Sequence, residues 1–136
     1  VLPNTIQGWL IMYPNIGLYL VSAMIGIMVF FTIAVAPTVF KVLPQEWASK
    51  YVRSFFPKYY AFLGTVSVIA SFLVSDVLSM GLLVFCAALF LFSLWILTPA
   101  INRASDNQEK KKFGILHGLS VVINVIQLGI FIYIVW

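Results

Sequence analysis

Long apolar stretches run through the chain and are separated by short segments that hold all of its charged residues. A membrane-crossing helix needs about 20 predominantly apolar residues. Four stretches approach or exceed that length, so the pattern predicts an all-α polytopic membrane protein with four transmembrane helices. The predicted spans cover residues 16–40, 59–75, 80–97 and 113–136, within one four-helix transmembrane domain over residues 16–136.

Between the first two spans, the apolar pattern becomes amphipathic. Apolar residues at 47, 48, 51, 52, 55 and 56 recur at the spacing of one helical face. They predict an interfacial helix over about residues 44–56, lying in the membrane surface or across the end of the bundle. Pro57 is expected to end or kink this helix. Its candidate lipid or partner contacts are Trp47, Tyr51 and Phe55.

The first 15 residues carry no charge and form a segment of their own. Pro3 and Pro14 enclose an apolar run that is too short to span a bilayer. Trp9 and Tyr13 favour the headgroup level, where amphipathic aromatic side chains collect. We therefore expect residues 1–15 to be an interfacial N-terminal segment.

All eight Lys and Arg residues lie in two segments, 41–58 and 103–112. With four spans, both segments lie on the same side of the membrane. The positive-inside rule predicts that this side is cytoplasmic and that both termini are outside, in a plasma or bacterial inner membrane. The net charge of +4 then reflects orientation rather than nucleic-acid binding. Lys110, Lys111 and Lys112 are also candidate contacts for anionic lipids.

Composition supports lipid as the solvent of this chain. It is 62% hydrophobic and 9% charged, whereas a soluble domain is about 25% charged. Its mean hydropathy is +1.06. The single cysteine, Cys86, excludes an intrachain disulfide and a multi-thiolate metal site. With one histidine as well, the sequence predicts no metal site.

Small residues recur three or four positions apart in the first two spans. Small side chains let helices approach closely in a membrane. The predicted helix-packing positions are Ser22 and Gly26 in the first span, and Gly64, Ser67, Ser71 and Ser75 in the second.

Three stretches occur together in an order typical of one membrane-protein family. They are Ala36-Pro37-Thr38-Val39-Phe40 with Leu43-Pro44, then Phe55-Phe56-Pro57-Lys58-Tyr59-Tyr60, then Phe113-Gly114-Ile115-Leu116-His117-Gly118-Leu119-Ser120 with Asn124. From about Ile16 onward, the chain resembles the family of small four-span membrane proteins related to transmembrane protein 205. The resemblance implies a four-helix membrane fold and no particular chemistry, because members have no settled activity. The motif positions are Pro37, Phe56, Pro57, Tyr59, Pro99, Asn102, His117, Gly118 and Asn124.

The fourth span carries a polar stripe. At 100° per residue, His117, Ser120, Asn124 and Gln127 lie within roughly 80° of arc and are expected to face the bundle. Two interpretations remain open. The stripe fixes helix packing through interhelical hydrogen bonds, or it serves a proton or ion relay, a substrate contact or a cofactor ligand.

No catalytic arrangement is visible in the sequence, so we predict a protein that is not an enzyme. We expect no cofactor, with a haem or pigment on His117 as an alternative. The preferred hypothesis is a non-enzymatic accessory or scaffold subunit of a larger membrane complex, partnered by other membrane subunits or by itself. The alternative is a small homo-oligomeric transporter or channel that uses the polar stripe.

Overall fold

The computed structural model describes residues 15–136, which form four long helices and no strand. These are α1 (Ile16–Val42), α2 (Gln45–Leu73), α3 (Val77–Asp106) and α4 (Lys110–Val135), each long and apolar enough to cross a membrane. The predicted all-α fold with four such helices is therefore confirmed. The predicted interfacial segment 1–15 lies outside the described residues, apart from Asn15.

The helices form an up-and-down bundle. Each packs against the next along the chain, and α4 returns to pack against α1. Because the connections are only a few residues long, neighbouring helices are antiparallel. The segments 41–58 and 103–112 consequently meet at one end of the bundle, which we call the basic end. At the opposite end, the Asp76 carboxylate caps α3 by accepting the Ser79 N–H at 2.8 Å.

Side chains from every helix fill the interior, and the outside is apolar as well. Val21, Leu63 and Phe90 belong to a buried cluster that also includes Phe131. Exposed large apolar side chains, of which Phe72 is one, cover much of the outer surface. In water, such a surface would be a large unburied apolar area, whereas in lipid it faces a matching solvent.

Pro37 and Pro99 lie inside α1 and α3, and each follows a widened turn of helix. The turns are π-helical and cover Phe31–Val35 and Ser93–Leu97. A proline cannot donate a backbone hydrogen bond, and its ring clashes with the carbonyl four residues earlier. A π-turn shifts the hydrogen-bond register by one residue just before the ring, which lets the helix continue.

The helix that contains the third predicted span, residues 80–97, does not end before Pro99. It continues to Asp106, so residues 102–106, which lie between the third and fourth predicted spans, are helical. Asn102 lies in this extension, where its carbonyl accepts a hydrogen bond from Arg53 Nη2 at 3.4 Å. The Arg53 guanidinium also pairs with both Asp106 carboxylate oxygens, at 3.2 Å for Nη1–Oδ2. This pair joins α2 to α3 at the basic end.

The predicted interfacial helix and the second span are also one uninterrupted helix, with Pro57 inside it. The proline removes one hydrogen bond, and aromatic packing surrounds the break: Phe55 stacks on Phe31 with ring centroids 4.8 Å apart. The 29 residues of α2 extend about 43 Å, longer than a hydrocarbon core of about 30 Å. The amphipathic part is thus one end of the long helix α2.

Candidate functional site

The polar side chains of α4 do not all face the bundle. Gln127 is fully buried and Ser120 is buried, while Asn124 is half-buried with its Oδ1 atom inaccessible. His117 is exposed, and its ring lies parallel to that of Phe113 with centroids 5.9 Å apart. The expectation that all four face inward is corrected for His117. It lies at the edge of the arc, in the first turns of α4, where nearly every residue is exposed.

Gln127 connects α4 to α3 in the interior. Its Nε2 atom donates a hydrogen bond of 3.1 Å to the backbone carbonyl of Cys86. Both residues are fully buried. Because α4 begins at Lys110, Gln127 lies about 25 Å along it, well inside the apolar span.

Asn124 brings a third helix into the cluster. Its side chain lies close to the hydroxyl group of Tyr60 on α2, but its Oδ1 atom accepts no hydrogen bond from that hydroxyl. Tyr60 is buried and its ring is tilted against Phe90 of α3, with centroids 6.3 Å apart. We call Tyr60, Asn124, Gln127 and the Cys86 carbonyl the polar cluster.

Two oxygen atoms of the polar cluster lack a hydrogen-bond partner among the described residues. They are Asn124 Oδ1 and Gln127 Oε1, and both are inaccessible. An unsatisfied buried acceptor costs about 1–3 kcal/mol, and hydrocarbon offers no compensation. The polar cluster therefore has unused capacity to accept hydrogen bonds, which makes it the candidate functional site.

Comparison with known proteins places the chain in a family. The model of a domain of unknown function, DUF4149, matches residues 19–110. The chain belongs to the DUF4149 family. An uncharacterised protein of Aquifex aeolicus (strain VF5) is 33% identical over 126 residues, covering 87% of this chain and 93% of the relative. No solved structure matches the sequence.

This membership confirms that the chain belongs to a family of unknown function, as the resemblance implied. The relation to transmembrane protein 205 stays a prediction. The DUF4149 match ends at Lys110, where α4 begins. Tyr60 and Cys86 therefore lie inside the matched region, and Asn124 and Gln127 lie beyond it.

Four serines of this DUF4149 protein donate hydrogen bonds to backbone carbonyls of their own helices. The Ser120 hydroxyl donates to the His117 carbonyl at 2.6 Å, not to the imidazole ring. Ser67 donates to the Leu63 carbonyl at 2.7 Å and lies 3.5 Å from Met24 Sδ. No nucleophile–base pair is formed by Ser120 and His117 in this arrangement. Within residues 15–136, no group of three His, Cys, Asp or Glu side chains could hold a metal ion.

The predicted helix-packing positions fall into two groups. Gly64, Ser67 and Ser71 are buried, and a Cβ atom built on Gly64 would lie 3.4 Å from Phe90 Cβ. Ser22 and Gly26 face outward and pack against no other helix of the described chain, so a helix contact through them would involve a partner outside residues 15–136. Ser75 is exposed in the turn after α2.

The predicted lipid or partner contacts lie at the basic end. Trp47 is 57% exposed and Tyr51 is also exposed, whereas Phe55 belongs to the aromatic packing around Phe31. The lysines 110–112 form the exposed first turn of α4. They adjoin an open cleft of about 500 Å³ between the ends of α2, α3 and α4.

Sequence reasoning missed Tyr60, the Cys86 carbonyl and Gly17. Tyr60 follows the Phe-Pro-Lys-Tyr motif directly, so the motif itself pointed to it. Cys86 contributes a backbone atom, for which its apolar sequence context gives no signal. Gly17 was missed because its role depends on the end of α2 and the turn after it, which lie within 3 Å of the position that a Cβ atom on Gly17 would take.

Proposed function

We propose that this DUF4149 protein is a non-enzymatic accessory or scaffold subunit of a larger membrane assembly, held in place by helix–helix packing. The observation that supports this function is the outward face of α4. Gly114, Gly118 and Gly129 lie there, and a Cβ atom built on any of them would meet no described atom within 4 Å.

The glycine face lies opposite the side of α4 that packs into the bundle. On a helix of 100° per residue, the three glycines centre roughly 170° from the buried Ser120, Ile123, Gln127 and Phe131. Gly114 and Gly118 are four residues apart, the spacing that allows close approach of two membrane helices. Therefore, α4 has one packing face in use and a second one available.

The chemistry of the interior agrees with a structural role. The polar cluster consists of amides, a phenol and a backbone carbonyl, none of which is charged at neutral pH. Positive charge is confined to the basic end, which under the positive-inside rule faces the cytoplasm. In this orientation, the protein presents α4 to partners within a plasma or bacterial inner membrane and the lysines 110–112 to anionic lipids.

A double variant, Gly114→Leu with Gly118→Leu, tests the proposal. Two leucines would prevent close approach at the glycine face without touching the interior, so partners should be lost while the bundle remains folded. The measurement is native mass spectrometry of protein released from native-lipid nanodiscs, with circular dichroism and a thermal melt for the fold.

Gly81→Leu is the matched control, because Gly81 is an outward-facing glycine of α3 with equally open surroundings. It should keep the partners of the wild type. The proposal fails if the wild type is a monomer, or if the double variant keeps its partners as the control does.

The polar cluster supports a second function, a small homo-oligomeric transporter or channel. Buried oxygen atoms without hydrogen-bond partners are suited to a polar ligand that passes through. Because four helices alone seldom enclose a pathway, several copies of the chain would be needed. In this case, native mass spectrometry should give a homo-oligomer. Flux in proteoliposomes should fall in Asn124→Leu and Gln127→Leu and persist in His117→Leu, because His117 lies outside the cluster. Unchanged flux in both cluster variants would exclude this function.

A further inference from the structure

Gln127 presents an acceptor that rotation of its own amide cannot satisfy. Its Nε2 already donates to the Cys86 carbonyl, and Oε1 has no partner in the described part of the chain. Turning the amide over would place Oε1 against the Cys86 carbonyl, so two acceptors would face each other. The side chain is 0% exposed, which excludes bulk solvent as the donor.

Asn124 places a second acceptor one turn away on the same helix. Residues three apart in a helix have Cβ atoms about 5–6 Å apart. A water molecule that donates two hydrogen bonds of about 2.8 Å bridges acceptors about 4.5 Å apart, a separation that two flexible amide side chains at this spacing can reach. Oδ1 of Asn124 is inaccessible and, like Gln127 Oε1, finds no donor among residues 15–136.

We propose that Asn124, Gln127 and Tyr60 bind a small neutral hydrogen-bond donor, a water molecule in the resting protein. The water donates to Asn124 Oδ1 and to Gln127 Oε1. The Tyr60 hydroxyl, which lies close to the Asn124 side chain without a hydrogen bond to its Oδ1 atom, donates to the water oxygen. Three polar partners are the usual number for a buried water.

The surroundings determine the size and charge of the ligand. Phe90, which packs against Tyr60, and the other fully buried side chains Phe131 and Leu83 make the interior apolar, which favours a small ligand. The cluster offers neutral oxygens, and no carboxylate lies in the apolar part of the described spans. A cation there would lose its hydration without a compensating charge, whereas a neutral donor would not.

The polar cluster lies deep in the bundle, so a hydrogen bond from water to Gln127 would be evidence for a bound water molecule. Gln127 lies about 12 Å from the end of α4 at Val135, and Asn124 lies about 21 Å from its start at Lys110. Water at a frayed helix end cannot account for a hydrogen bond at these positions.

Infrared spectroscopy of the Gln127 side-chain carbonyl tests the proposal in lipid membranes. Protein labelled with ¹³C at the glutamine side-chain carbonyl is compared with labelled Gln127→Met, and the difference spectrum isolates Gln127. We expect the band at the lowered frequency of a hydrogen-bonded amide, close to that of the exposed Gln45 and Gln108. It should move reversibly to the free-carbonyl frequency when the film is dried.

Two variants separate the possible donors. Tyr60→Phe with Asn124→Leu removes two of the three partners of the water, so the Gln127 band should shift to the free frequency. Ser67→Ala is the control, because Ser67 is equally buried but hydrogen-bonds to Leu63 and lies against Met24 instead. A free-carbonyl band in the hydrated wild type would overturn the proposal. A hydrogen-bonded band that survives both drying and the double variant would also overturn it, since the donor would then be a protein group.

Discussion

Gly17 should tolerate no side chain, although it lies in an apolar helix of a membrane protein. A Cβ atom built on Gly17 would lie 2.8 Å from Val74 Cγ1 and 2.9 Å from the carbonyl carbon and oxygen of Leu73. Real Cβ contacts essentially never fall below 3.0 Å, and here two of the three atoms are backbone. Gly17→Ala must therefore displace α1 from the turn after α2.

Overpacking of this kind costs about 1–3 kcal/mol. Alanine also favours helix over glycine by up to about 1 kcal/mol, which partly offsets the cost. Gly26→Ala is the matched control, because Gly26 is in the same helix and a Cβ there would meet no described atom within 4 Å. The propensity gain is largely common to both variants. The difference between the two variants in the free energy of unfolding therefore isolates the steric cost. It should be about 1–3 kcal/mol, which is roughly 5–150-fold in the unfolding equilibrium constant.

The assay is equilibrium unfolding of both variants in the same mixed micelles, with α-helix content as the signal. We expect Gly26→Ala to match or exceed the wild type and Gly17→Ala to unfold at a lower denaturant concentration. If the two alanine variants unfold together, the close approach of α1 to the turn after α2 is not part of the folded protein, and the reasoning fails.

Two further predictions concern the ends of the bundle. The Ser79 N–H lowers the pKa of the Asp76 carboxyl, so its capping contribution is present above the unfolded-state pKa and is lost as pH falls through the folded-state pKa. Thermal midpoints measured from pH 7 to pH 3 should therefore fall more for the wild type than for Asp76→Asn, which caps without titrating; parallel curves would contradict this. Replacing lysines 110–112 by Gln should weaken binding of anionic lipid by at most about 3 kcal/mol, roughly 150-fold, at about 1 kcal/mol per charge. The number of anionic lipids that stay bound in native mass spectra measures this affinity. Lys50→Gln is the control and should retain its lipids. An equal loss of bound lipid in both variants would contradict the prediction.

The helices were predictable because length and hydropathy alone identify a span, whatever the neighbours are. Their ends were less predictable. Pro99 and Pro57 are helix breakers by local rules, yet a π-turn before Pro99 and aromatic packing around Pro57 let both helices continue. The aromatic packing around Pro57 depends on tertiary contacts, which a single sequence read locally does not contain.

Only the residues that α4 contributes to the candidate site could be predicted from the sequence. Periodicity put His117, Ser120, Asn124 and Gln127 on one arc, but the arc does not say which part of it meets another helix. His117 is exposed because α4 has few neighbours near its start. The partner of Gln127 is a backbone carbonyl, and every residue has one. Choosing Cys86 requires the relative position of α3 and α4, which only the folded bundle supplies.

In lipid, apolar side chains gain little by packing on each other rather than on acyl chains, so specific contacts must fix how the helices align. Here, three interfaces each have such a contact. Gly17 fits against the turn after α2, Gly64 brings α2 close to Phe90, and Gln127 bonds to the Cys86 carbonyl. Moving α4 along α3 by about half a turn would take the Gln127 amide out of hydrogen-bonding distance of that carbonyl, in a medium that offers no water as a substitute. The buried amide of Gln127 thus fixes the register of α4 against α3 and also binds a ligand. A leucine of similar volume would fill the same space but could not fix the register, because it forms no hydrogen bond.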